Sequence, residues 1–171
     1  MNRHTVSRRT LLGSAAALVL GLSVTTAFAA SVHFKQNRRP TLTDNGLTAT
    51  VSGALAGLGN EDVTITVTAE GVGSTIITSP GGNAAPGQNK VPFTLVGTQS
   101  IPAEEIKNGN VSFSVTTEAP KTPTPKEAGA PNNNWTVELT DVRFTGFTLT
   151  VQQGGKTVFT YESPALFGTR A

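Results

Sequence analysis

The 171-residue chain has no cysteine, one tryptophan, one tyrosine, one methionine and two histidines. Without cysteine there is no disulfide scaffold, iron–sulfur cluster, zinc ribbon or thiol nucleophile. Charge is also scarce, with Asp, Glu, Lys and Arg making up 14% of the chain. No window carries a sustained apolar stripe at the 3.6-residue period, so amphipathic helices are not expected.

The formal net charge of +2 invites an acidic partner, but its source is local. Arg3, Arg8 and Arg9 all lie in the first 29 residues, which hold no Asp or Glu. Residues 30–171 carry 10 basic and 11 acidic side chains, a balance of −1. Nucleic-acid binding rests on clustered Lys and Arg, so nucleic acid is not an expected partner. The one basic cluster, Lys35, Arg38 and Arg39, reads as a solvated segment or as a contact for an acidic wall polymer.

The N-terminus has the order of a signal peptide. Asn2 to Arg9 is polar and positive, and Leu11 to Val24 is an uncharged apolar run of 14 residues. Ala27-Phe28-Ala29 is a small-x-small cleavage pattern, so the mature chain is expected to start at Ala30. The apolar run is short for a bilayer span, which needs about 20 residues. Ser7-Arg8-Arg9-Thr10-Leu11-Leu12 matches the twin-arginine export pattern, with Leu11 and Gly13 departing from its strongest form. An ordinary positive n-region for general secretion is the alternative. Residues 1–29 are therefore read as a signal-peptide helix on a bacterial protein destined for the cell surface or the medium. No membrane span is expected once that segment is removed.

What the mature chain does have is threonine, 23 of the residues from 30 onward. Thr and Val suit a pleated surface better than a helix. Val63, Ile65, Val67 and Ala69 alternate with Thr64, Thr66, Thr68 and Glu70. Similar alternation runs through Val111–Val115, Trp135–Leu139 and Phe147–Val151. One apolar face and one Thr/Ser face predict antiparallel sheets packed on a core. The expected fold is all-β, a single Ig-like antiparallel β-sandwich of about eight or nine strands over residues 30–171. The strands are placed at 31–36, 47–53, 62–70, 73–78, 91–98, 110–117, 134–142, 145–153 and 156–162. Gly154-Gly155 predicts a primed hairpin turn. The apolar phase shifts after Leu139, which predicts a bulge or corner near Asp141. Ser100–Ile106 is read as one helical turn capped by Ser100. Two loops rich in Gly, Pro and Asn stand out at 80–89 and 119–134, the second either functional or mobile. The tail 163–171 lacks alternation and is expected to fray.

Several strings together resemble a family of small, uncharacterised secreted bacterial proteins. They are Thr43-Asp44-Asn45-Gly46-Leu47, Ser79-Pro80-Gly81-Gly82-Asn83, Ala85-Pro86-Gly87-Gln88-Asn89, the run from Ile101 to Phe113, and Asn134-Trp135-Thr136-Val137. The resemblance implies a compact exported β-domain and no particular activity. Its relatives carry two cysteines near the positions of Ile77 and Ala130. If those pair, the resemblance implies that the two positions are neighbours and that the loops 80–89 and 119–134 share one end of the sandwich.

Catalytic signals are weak. His33 is the one histidine of the mature chain, and a Ser-His-Asp arrangement with Asp44 would lack a nucleophile elbow. Glu104 and Glu105 sit on one short turn and point apart, unlike carboxylates facing a shared cleft. Glu61, Asp62, Asp44 and Asp141 lack calcium-loop spacing. Gly57-Leu58-Gly59-Asn60-Glu61-Asp62 leads into a strand, so no helix N-terminus is there to hold a phosphate. No enzyme activity, metal or cofactor is expected, with a carboxylate hydrolase as the residual reading. Trp135 is in phase with Val137 and Leu139, which places it in the core. If it lies in a groove instead, Trp135 with Asn132, Asn133, Asn134, Asn83 and Gln88 forms a carbohydrate site. The sequence thus points to a non-enzymatic structural or interaction module. A carbohydrate- or wall-binding module using the two loops is the alternative. The expected partners are a protein or a wall polysaccharide, and edge strands also permit self-association.

Replacing Arg8 and Arg9 by Lys keeps the charge but removes the guanidinium pair. Twin-arginine export predicts that this double variant accumulates as uncleaved precursor inside the cell, measured by fractionation and blotting. Undiminished export would identify the general secretion route.

Overall fold

The computed structural model describes residues 31–164. The signal-peptide reading, with Arg8, Arg9, Ala27 and Ala29, lies outside the described residues, as do residues 165–171 of the tail.

The described chain is all-β and forms two sheets. Its strands are β1 (His33–Phe34), β2 (Thr41–Asp44), β3 (Ala49–Ala56), β4 (Val63–Thr78), β5 (Ala84–Pro86), β6 (Val91–Ile101), β7 (Val111–Thr116), β8 (Thr136–Gln153) and β9 (Lys156–Glu162). In the first sheet β3 is central, with β1 and β2 on one edge and β7 on the other. In the second, β4 is flanked by β8 on one edge and by β5 and β6 on the other, and β9 lies outside β8. Every pairing is antiparallel.

The expected alternation decides which side chains face inward. Val63, Ile65, Val67 and Ala69 of β4 have no exposed surface, and the Thr residues between them face out. They share one core with Val51, Leu55, Phe113 and Val115 of the first sheet and with Leu149 and Val151 of β8. Burying each such side chain contributes about 1.5–3 kcal/mol. Gly53, opposite Phe113, leaves room for that ring, whose nearest atom would lie 2.9 Å from any Cβ there.

Two predicted strand pairs prove to be single long strands. The segments 62–70 and 73–78 merge into the 16 residues of β4, because Gly71 and Gly73 continue the ladder instead of breaking it. The segments 134–142 and 145–153 merge into the 18 residues of β8. The strand β8 stays paired with β4 throughout by inserting an extra residue twice, at Thr140 and at Thr145. The first of these is the predicted phase shift. Each bulge hydroxyl donates across to β4, Thr140 Oγ1 to the Ser74 carbonyl at 3.0 Å and Thr145 Oγ1 to the Glu70 carbonyl at 3.2 Å. The short strands β2 and β5 were not foreseen, since stretches of four and three residues give too little alternation to read.

Past the end of β9 the outer edge of β8 bonds to other segments. Val142 N donates to the Gly46 carbonyl at 2.8 Å, tying the Asp44-Asn45-Gly46 turn to β8. Beyond the second bulge, Ser163 exchanges two bonds of 2.9 Å with Phe147, using its N–H and its Oγ. Ser163 therefore extends β9 and is not part of a frayed tail. The rings of Phe159 and Tyr161 meet Phe34 edge-on, with centroids 5.1 and 4.9 Å away, and close this side of the core.

At one end Gln153 is buried, only 5% exposed, and its amide holds the loop between β3 and β4. Its Oε1 accepts from Gly59 N and its Nε2 donates to the Glu61 carbonyl, both at 2.9 Å. Gly154 and Gly155 then turn the chain with φ of +55° and +75°, as the predicted primed turn requires. The predicted helical turn is a 3₁₀ turn at Ala103–Glu105, and Ser100 belongs to β6. Its cap comes from Asp62, whose Oδ1 accepts from Ala103 N at 2.9 Å.

Gln153→Leu keeps the side-chain volume but leaves the Gly59 amide and the Glu61 carbonyl without partners. A loss of about 2–3 kcal/mol is expected from urea denaturation.

Candidate functional site

The loops 80–89 and 119–134 do meet at one end of the second sheet. Gln88 N donates to the Ala128 carbonyl at 2.9 Å, Asn89 N reaches the same oxygen at 3.4 Å, and Asn89 Nδ2 donates to the Lys126 carbonyl at 3.4 Å. Ile77 pairs with Ala85 in β5, and Ala130 closes the turn that carries Ala128, so the segments bearing both positions belong to this end.

The Pro-rich loop has a local fold of its own. Thr124-Pro125-Lys126-Glu127 is a capping box with proline at the first helical position. Glu127 Oε2 accepts from Thr124 N at 2.7 Å and from Thr124 Oγ1 at 2.8 Å, while Glu127 N donates to Thr124 Oγ1 at 3.3 Å. The turn ends in a Schellman arrangement. Ala130 N donates to the Pro125 carbonyl, Gly129 N to the Lys126 carbonyl, and Gly129 takes φ of +83°. This single turn buries Ala128 completely. Gly87 follows from the close approach, because a Cβ there would collide with Thr75 Oγ1 and stand 3.0 Å from the Ala128 carbonyl. Thr75 Oγ1 itself is buried with no hydrogen-bond partner.

Trp135 lies beside this turn, one residue ahead of β8. Its phase does match Val137 and Leu139, but it is half-buried and stands outside the core. The alternation places it on the inward side of β8, as expected. The two sheets' shared core does not extend to that position, so the expectation of a core tryptophan is corrected. Asn132, Asn133, Asn134, Asn83 and Gln88 are all exposed. Since Thr136, Thr78 and Ala84 are in register across three strands, Trp135 and Asn83 are about 10 Å apart at the tips of β8 and β5. Some of the polar groups here are committed locally. Asn132 Oδ1 accepts from Asn134 N at 3.0 Å, and Gln88 Nε2 donates to the Pro86 carbonyl at 3.0 Å.

Of the residues weighed for catalysis, His33 and Asp44 make local hydrogen bonds. His33 is exposed, and its Nδ1 donates to the Ser31 carbonyl at 2.8 Å. Asp44 Oδ1 accepts from Gly46 N at 2.8 Å. Glu104 and Glu105 are exposed on their 3₁₀ turn. Among the described residues no three His, Asp or Glu side chains cluster so as to hold a metal ion.

Two surfaces were not assembled by sequence reasoning. The outer face of the second sheet carries a row of four threonines in register, Thr98, Thr66, Thr150 and Thr160. The hydroxyls of Thr66 and Thr98 are 3.5 Å apart. On the outer face of the first sheet, Thr50 meets Thr116 at 2.8 Å and Ser52 meets Ser114 at 3.0 Å. This second face also bears a basic depression. One lobe of about 550 Å³ includes Lys35, Lys107 and Ser112, and another of about 460 Å³ includes Lys35, Arg38, Arg39, Ser52 and Ser112. Lys107 is 68 positions beyond Arg39 in the chain, and the Asn108-Gly109 hairpin, with φ of +52° and +71°, leads from it into β7, which pairs with β3.

No protein-family model matches this sequence, and no curated protein matches it.

Hydrogen bonds from Thr124 hold the Glu127 carboxyl below its usual value of 4.5. A lowered carboxylate stabilises the fold above the usual value and loses that effect as pH falls through the lowered one. Wild type should therefore exceed Glu127→Gln in denaturation midpoint at neutral pH, with the gap narrowing below 4.5.

Proposed function

We propose that the chain is an exported, non-enzymatic module of the cell surface or extracellular space, folded as an Ig-like sandwich, that presents its sheet faces to a partner. The supporting observation is the four-strand threonine row on the second sheet, Thr98–Thr66–Thr150–Thr160. Strands set about 4.8 Å apart place these hydroxyls at regular intervals, each able to donate and accept. Val96, 45% exposed, adds an apolar spot on the same face. Such a face offers many weak, regularly spaced hydrogen bonds, which suits contact with a broad partner surface better than enclosure of a small molecule. Among the described residues no helix is long and apolar enough to cross a membrane.

A second reading, a carbohydrate- or wall-binding module, is favoured by the partial exposure of Trp135 beside Asn132, Asn133 and Asn134. An indole face packs well against a sugar ring, and neighbouring amides supply directional bonds.

Binding of the mature protein to isolated cell-wall and envelope fractions separates the two. The sheet-face reading predicts that Thr66→Lys with Thr150→Lys removes most binding and that Trp135→Ala leaves it intact. The loop reading predicts the reverse. Loss of binding in neither variant sinks both.

A further inference from the structure

We propose that the depression on the outer face of the β2–β3–β7 sheet is a binding site for an anionic polymer rich in hydroxyls, with a carboxylate or phosphodiester in each repeat. The proposal deepens the interaction-module reading by naming the chemistry of one partner, and it rests on that reading for its setting.

Charge comes first. The two lobes meet at Lys35 and Ser112, and their lining brings together Lys35, Arg38, Arg39 and Lys107. Among the described lining residues Glu105 is the one carboxylate. The chain from residue 30 onward has a balance of −1, so this concentration of positive charge is local. Arginine forks match carboxylate and phosphate oxygens in pairs, and lysine adds point charge.

The backbone is shaped to hold these cations together. Gln36 and Asn37 both take left-handed conformations, with φ of +56° and +55°. Neither is glycine, so this turn is strained. It lifts the chain off the edge of β3 between β1 and β2, which run the same way along that strand, and Lys35 before it and Arg38 and Arg39 after it line the same lobe. On the far side, Lys107 Nζ donates to the Glu104 carbonyl at 2.7 Å, which holds the ammonium at the rim.

The floor is polar and extended. Val51, Leu55 and Phe113 point inward, so Ser52 and Ser112 face out into the depression. Thr41 pairs with Ser52 and Ala54 pairs with Ser112, so the lining spans β2, β3 and β7. A shallow, open channel with cations on both sides and hydroxyls beneath suits a polymer lying across it. No aromatic residue lines either lobe, so bases have no stacking platform, and this favours a sugar or polyol polymer over nucleic acid.

The test uses the mature protein with polygalacturonate as the carboxylate probe and poly(glycerol phosphate) as the phosphodiester probe. Neutral dextran and double-stranded DNA serve as comparisons, with affinity read by calorimetry. At least one anionic probe is expected to bind while dextran does not, and which one binds identifies the source of charge. Raising salt from about 50 to about 300 mM should weaken binding about tenfold or more. Arg38→Glu with Arg39→Glu, and separately Lys107→Glu, should each cost about tenfold or more. Lys121→Glu, an equal charge change on the Pro-rich loop, should cost little, and circular dichroism checks that every variant folds. The proposal is overturned if neither probe binds, if the charge reversals have no effect, or if DNA binds as tightly as the polymers. Wall binding in a protein that binds neither polymer overturns this site and spares the module reading. Polymer binding without wall binding does the opposite.

Discussion

The antiparallel pairing of β4 with β8 is the constraint on which the rest of the structure depends. It runs from Val63 opposite Gln153 to Thr78 opposite Thr136. At about 3.3 Å per residue this ribbon is about 50 Å long, and β5, β6 and β9 are paired along it. On β4 the inward residues keep a single parity from Val63 to Ile77. On β8 they change parity twice, at the two threonine bulges. Each insertion restores apolar side chains to the inner face. On its outer edge β8 also holds the Gly46 turn, and Ser163 continues the β9 ladder.

The two ends of the ribbon are finished by different physics. At the Gln153 end a buried amide satisfies a loop's backbone from inside the core. At the Thr78 end the second sheet runs past the shared core, and the capped turn Thr124–Ala130 covers the approach instead. The two candidate binding regions are thereby kept apart. Trp135 and the asparagines belong to the Thr78 end. The basic depression begins near the middle of the first sheet and runs to the Lys107 hairpin at the other end.

Much of this was legible in the sequence where local chemistry decides. Period-two alternation located β4, β7 and β8, because a strand with one wet face must alternate. The parity break after Leu139 gave away the first bulge. The second was missed: the reading ends one strand at 142 and starts the next at 145, yet the chain there stays in the ladder. Trp135 shows the limit of phase as evidence, since parity tells which side of a strand a residue occupies and not whether anything packs there. The capping box in Thr124–Glu127 was written in the sequence in full, but the proline-rich composition around it drew attention to looseness instead of order.

By itself the sequence determined the all-β class, the inward and outward faces of most strands and the tight glycine turns. Those depend on side-chain periodicity and on backbone torsions set within a few residues. Tertiary structure alone decided the merging of four predicted strands into two and the closure of the Pro-rich loop onto Gln88 and Asn89. It also decided the meeting of Lys107 with Lys35, Arg38 and Arg39. These depend on which distant segments pair, and no single stretch of sequence is sufficient to settle that.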